Sequence, residues 1–178
     1  MSESSGEPSS GGGPAPDRPA DQRPEHQRVF LVLIDDSTEM RVALRFACLR
    51  AKNTGGKVAL LYVQEPAEFH HWLGVGELIK QERREEAEAR LQELSSEAQE
   101  ISGSMPMLIV REGKRGEELM ALLEEDPSIS IVVLAASTDS EGPGPVISFM
   151  MKQGAGKMRV PFTIVPGSLS DENVEKLA

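Results

Sequence analysis

The sequence predicts an α/β fold, a single domain built on an open five-stranded parallel sheet with helices on both faces. Five β-type apolar runs, VFLVLID, KVALLYV, PMLIVR, ISIVVLAA and PFTIVP, succeed one another from Val29 onward. Helical patterns separate them, and strands that alternate with helices form βαβ units, which set the strands parallel. The first run, Val29 to Ile34, is apolar throughout, as a strand covered on both faces must be. Ligands of such sheets bind outside the carboxyl ends of the strands. Function is therefore sought at Asp35, Asp36, Ser37, Val63, Gly113 and the stretch from Ala135 to Gly144.

Residues 1–28 hold five of the 12 prolines and four of the 16 glycines, with no aliphatic residue beyond Met1 and alanine. Such a segment cannot bury enough apolar surface to offset its ordering entropy. Residues 1–27 are read as a disordered polar tail whose removal leaves the fold intact, residues 28–168 as the domain, and residues 169–178 as a polar C-terminal tail.

Val29 to Ile34 is the central strand. Asp36, Ser37 and Thr38 offer N-caps, and Met40, Leu44, Ala47, Cys48 and Ala51 repeat at helical spacing until Asn53-Thr54-Gly55-Gly56 stops the helix. Lys57 to Val63 is the second strand, and Glu68 to Gly76 reads as irregular. From about Glu77 to Ile101 the residues Ile79, Ala87, Leu91, Leu94, Ala98 and Ile101 mark one face of a long, otherwise charged helix. Pro106 to Arg111 is the third strand, and Leu119, Leu122 and Leu123 line a short helix that ends before Pro127. Ile129 to Ala136 is the fourth strand. A small-residue segment from Ser137 to Pro145 leads to a helix over Ile147 to Met158, which Gly154 and Gly156 weaken by roughly 1 kcal/mol each. Pro161 to Pro166 closes the sheet.

The net charge of -10 and pI near 4.9 give a field of the wrong sign for nucleic acid or anionic lipid. Cys48 is the single cysteine, so no internal disulfide forms. No stretch is apolar for long enough to cross a bilayer, and the N-terminus lacks the basic and apolar regions of a secretory signal. The expected location is the cytoplasm.

The sharpest polar cluster is Asp35-Asp36-Ser37-Thr38, where a strand ends and a helix begins. Asp35 there can accept a hydrogen bond from a ligand amine while free helix amides favour an anion, or the cluster can simply cap the helix. The pair also resembles the acidic pair of receiver domains. Tyr62-Val63-Gln64 and Val110-Arg111-Glu112 lack the phosphorylated aspartate of that family, however, and Thr163-Ile164-Val165-Pro166 lacks its lysine. His70-His71-Trp72 has no partner at metal-ligand spacing and is read as packing, so no metal is expected. Cys48 falls in an apolar helix stripe and is read as a core thiol. Lys114-Arg115 is read as a solvated turn, and Glu82-Arg83-Arg84-Glu85-Glu86 as a charged helix face.

Taken together, VFLVLIDDS, ALRFACLRAK, LLYVQEP, VREG and IVVLAAS followed by VPFTIVPG resemble the universal stress protein family over about residues 28–168. The resemblance implies a sheet in the order 3-2-1-4-5, as in adenine-nucleotide alpha-hydrolase-like folds, and a homodimer, which the edge carrying Phe162, Ile164, Val160 and Val165 places at the last strand. In the members that bind ATP, an aspartate ending the first strand and main-chain groups ending the second hold adenine, and Asp35 and Val63 match these positions. A glycine motif after the fourth strand holds phosphate and ribose there. Here its positions fall on Ala135, Thr138, Ser148 and Phe149, so the three glycines and the hydroxyl are replaced. Gly142 and Gly144 are nearby, but Pro143 and Pro145 remove amide donors.

The resulting reading is a non-catalytic regulatory or stress-response protein with weak or absent ATP binding, no required cofactor, a possible small-molecule ligand and a protein partner the sequence does not identify. An adenine-nucleotide switch with an atypical phosphate loop and a receiver-like domain are the alternatives. A small enzyme ranks lowest, since no nucleophile with its base can be assembled.

Overall fold

The computed structural model describes residues 27–66, 76–139, 142–153 and 158–178. The expected N-terminal tail up to residue 26, the His70-His71-Trp72 motif and the two glycines Gly154 and Gly156 lie outside the described residues. The elements run β1 (Val29–Ile34), α1 (Met40–Thr54), β2 (Lys57–Gln64), α2 (Gly76–Ser102), β3 (Met107–Glu112), α3 (Arg115–Glu125), β4 (Ile129–Ala136), α4 (Pro145–Gln153), β5 (Phe162–Pro166) and α5 (Asp171–Leu177). The sheet order is β3-β2-β1-β4-β5, with every pair parallel. Fold class and strand order are those expected.

All six residues of β1 are buried because the strand is central and covered twice. Phe30, Val32 and Ile34 join one core with Val58, Leu60, α1 and α2. Val29, Leu31 and Leu33 join a second core with Ala59, Leu61, α3 and α4. Alternate side chains of one strand thus feed two layers, as the period of two requires. The edge strand β3 is half covered, leaving Leu108 45% and Val110 51% exposed.

In α1 the residues Met40, Ala43, Leu44, Ala47, Cys48 and Ala51 make a continuous buried stripe. Gly55 ends the helix in the left-handed region at φ +68°, a conformation that favours glycine, and its N–H donates to the Ala51 carbonyl. Gly56 follows because a Cβ there would stand 2.7 Å from the Arg28 carbonyl, which accepts from Lys57 N as the β1–β2 pairing opens. In α2 the residues Ala87, Leu91, Leu94 and Ala98 pack on the sheet, whereas residues 81–86 are exposed. Ile101 is half-buried against the same core, and the Ile79 side chain lies outside the described residues. Among the described residues no helix is long and apolar enough to cross a membrane.

The C-terminal segment departs from expectation. Residues 169–178 were expected as a polar tail, yet Asp171–Leu177 is a helix packed on α1 with Val174 fully buried. Ser170 caps it by accepting from Asn173 N, Arg45 pairs with Glu175, and Arg50 donates to the Ala178 carbonyl at 3.0 Å. One apolar residue in a polar stretch has no periodicity to read, so the complementary surface of α1 settles its structure. The helix expected over Ile147 to Met158 starts earlier, at Pro145, whose fixed φ and missing N–H suit a first helical position, and is described to Gln153. The last strand starts at Phe162, one residue later than expected.

Candidate functional site

β1 continues into α1 on one face of the sheet and β4 into α4 on the other, so the chain diverges between two neighbouring strands. That topological switch leaves a crevice at their carboxyl ends. It has a volume of about 690 Å³ and is lined by Asp35, Thr38 and Glu39 from the β1 side and by Thr138, Asp139 and Ser148 from the β4 side, among others. A second hollow of about 610 Å³, lined by Val63, Gln64, Asp36, Arg90 and Arg115, opens at the end of β2. A narrow space of about 60 Å³ bordered by Asp35, Met40, Arg115 and Ala135 lies beside them.

Asp35 and Val63 end neighbouring strands, one position beyond the registered pair Ile34 and Tyr62. They face different hollows, Asp35 the first and Val63 the second. Asp35 Oδ1 accepts from Ser37 N at 2.9 Å and from Ser37 Oγ at 2.6 Å. Ser37 Oγ in turn accepts from Met40 N at 3.2 Å, so the cluster does cap the helix. Asp36 pairs with Arg90 at 2.7 Å, and Arg90 also donates to the Asp35 carbonyl at 2.9 Å. Arg90 thus pins α2, otherwise charged and exposed on this side, to the end of β1.

Glu39, which the sequence reading passed over, is the central polar group of the crevice. Its Oε1 accepts from Thr138 N at 2.9 Å and Thr138 Oγ1 at 2.7 Å. The side-chain and main-chain hydrogen bonds from Thr138 hold its carboxyl down at about 2. Gly167, after β5, makes room for it: a Cβ there would collide with Glu39 Cγ and stand 2.5 Å from the Ala136 carbonyl. One side chain therefore ties the ends of β1 and β4 together and packs against the turn after β5. The pair Glu39 and Thr138 is separated by 99 residues, and no local pattern announces it.

The loop after β4 is closed on itself. Ser137 N donates to the Pro143 carbonyl at 3.2 Å, Thr138 N to Glu39, and Asp139 N to Ser137 Oγ at 3.1 Å. Phe149, at the position where the resemblance calls for a hydroxyl, packs instead against the core beneath α3. Its ring lies so close to Gly116 that a Cβ there would overlap it. Asp35, Glu39 and Asp139 give the crevice three carboxylates, and no lysine or arginine lines it among the described residues.

Other residues singled out from the sequence do not converge here. Cys48 is fully buried, and burial pushes its thiol up to about 12, which removes it as a nucleophile at neutral pH. Lys114 pairs with Glu117 at 3.3 Å on the surface. Arg115, read as part of a solvated turn, instead lines the hollow at the end of β2 and the narrow space beside Asp35, with Nε buried and unbonded among the described residues. No group of three or more His, Cys, Asp or Glu is placed to hold a metal among the described residues.

The sequence model of the Universal stress protein family matches residues 27–145. None of the curated proteins searched matches the chain. Among solved structures it is similar to universal stress protein UspA from Lactobacillus plantarum, with TM-score 0.66 and 15% identity over 78% of this chain and 97% of that one. It is similar also to a universal stress protein family member from Burkholderia pseudomallei, with TM-score 0.62 and 18% identity over 81% and 99%. A third similar structure is a universal stress protein family protein from Arabidopsis thaliana with AMP bound, with TM-score 0.54 and 14% identity over 82% and 94%.

Proposed function

Since the chain belongs to the universal stress protein family, we propose that it is a non-catalytic stress-response regulator, cytoplasmic, whose crevice addresses an adenine-type ligand weakly and gives no hold on phosphate. The observation that carries this reading is the state of the loop after β4, where the amides of Ser137, Thr138 and Asp139 each already donate to an internal acceptor. A phosphate cradle needs such amides free and convergent. The carboxylates Asp35, Glu39 and Asp139 add repulsion towards a polyphosphate. Asp35 remains in the crevice for an adenine, with Val63 at the end of the neighbouring strand facing the adjoining hollow, and a similar fold carries bound AMP.

Calorimetry with ATP and adenosine tests this. Charge-assisted amide contacts are worth roughly 1.5–3 kcal/mol each, so losing two of them weakens a micromolar site to about millimolar. Adenosine is expected to bind about as well as ATP, and Asp35→Ala to abolish both. Tight ATP binding with a clear preference over adenosine would move the protein to the nucleotide-switch reading.

A homodimer through β5 completes the proposal. Among the described residues β5 pairs only with β4, and Ile164 is 44% exposed on its free side of the sheet. Beside it, Leu134, Ile147, Met150, Met151 and Phe162 line an apolar hollow of about 520 Å³. Ile164→Lys is expected to yield monomers in sedimentation experiments. A wild-type protein that stays monomeric at tens of micromolar, roughly the range of a weak interface, would overturn the dimer.

A further inference from the structure

An oxyanion bound at a main-chain amide has a recognisable signature. It accepts an N–H and a neighbouring hydroxyl with one oxygen, at charge-assisted distances, and stays ionised. The Glu39 carboxylate meets each condition on the loop after β4, with 2.9 Å to Thr138 N and 2.7 Å to Thr138 Oγ1. Its carboxyl is held at about 2, so the anion persists at every physiological pH. The surroundings are shaped for it as well. Gly167 leaves the volume that the Glu39 methylenes fill, and the Gly167 N–H is tied to the Ala136 carbonyl at 3.1 Å, keeping the turn after β5 in place around them. Thr38 Oγ1 donates to the second carboxylate oxygen, Oε2, at 3.1 Å, so both oxygens are engaged.

We infer that Glu39 is an internal ligand: its carboxylate fills an oxyanion site built by the Thr138 N–H and hydroxyl, in the space that Gly167 leaves open, and it ties the ends of β1 and β4 together without any nucleotide. The inference deepens the proposed function, because a crevice that carries its own anion is set in one state and does not report nucleotide level. It does not depend on adenine binding at Asp35, which calorimetry with adenosine measures separately. The class of ligand that can replace Glu39 is a small oxyanion, a carboxylate or a phosphate.

Glu39→Ala empties the site, and exogenous anions are the probes. In the variant the Thr138 amide should exchange with deuterium at least about tenfold faster than in wild type, since the charge-assisted bond that protects it is lost. Tens of millimolar sodium acetate or inorganic phosphate should restore the slow exchange, whereas sodium chloride at equal ionic strength should not. No rescue by either anion in the folded variant overturns the inference. Wild type supplies the independent arm if the variant folds poorly. Its Thr138 amide resonance should not move on titration with acetate or phosphate, because the site is full. A saturable shift there would show an open anion site and overturn the inference regardless of the variant.

Discussion

Leu60→Ala is expected to cost about 3 kcal/mol of folding stability, within the usual range for deleting a buried leucine. Leu60 is fully buried, pairs in register with Val32 of β1 and Leu108 of β3, and packs in the core that joins α1 to α2. The cavity would open where α2 seats. That helix rests on Ala87, Leu91, Leu94 and Ala98 while residues 81–86 stand exposed, so few contacts remain to pull it inward and fill the void. Urea unfolding checks the prediction through a lower midpoint at unchanged slope. For a domain of this size the melting temperature should fall by roughly 2–4 °C per kcal/mol. A loss under about 1 kcal/mol would mean that α2 relaxes into the cavity.

Gly167→Ala should cost about 2 kcal/mol, within the range for overpacking a filled site. The backbone φ of Gly167 is not the reason, since its conformation is open to other residues. The reason is space: the new Cβ meets Glu39 Cγ and the Ala136 carbonyl. The carbonyl belongs to a strand and cannot yield, whereas the glutamate can swing away at the expense of its bonds to Thr138. A double-mutant cycle with Glu39→Ala is therefore expected to be non-additive, and additive effects would deny the contact. The bonds also carry a pH signature. The Glu39 carboxyl is depressed from 4.5 to about 2 on folding, so its contribution is fully present above about 4.5 and is lost as pH falls towards 2. The stability difference between wild type and Glu39→Gln should shrink across that window.

The architecture was legible in the sequence because its signals are local. β1 is apolar at every position since both its faces are covered, and α1 repeats its small apolar residues at the spacing of one helical face. Gly55 and Gly56 mark the stop where a left-handed residue and a close backbone approach are needed. Given alternating strands and helices, the location of the crevice follows from topology, and Asp35 was found there. The order of the strands came from the family resemblance, since many orders are compatible with the same alternation.

What the sequence could not express was pairing at a distance. Val174 is a lone apolar residue until α1 offers it a surface, and Phe149 is an aromatic at a motif position until Gly116 lets its ring pass beneath α3. Glu39 reads as one more acid at a helix start. Its role depends on Thr138, 99 residues on, and on the space left by Gly167. Periodicity and caps are properties of neighbouring residues, and so the sequence by itself determined the strands and the helices α1 to α4, their buried faces and the end of the sheet where a ligand would sit, but not α5. Which acid faces which amide depends on the relative placement of three loops, and only the packed sheet brings those within hydrogen-bond distance.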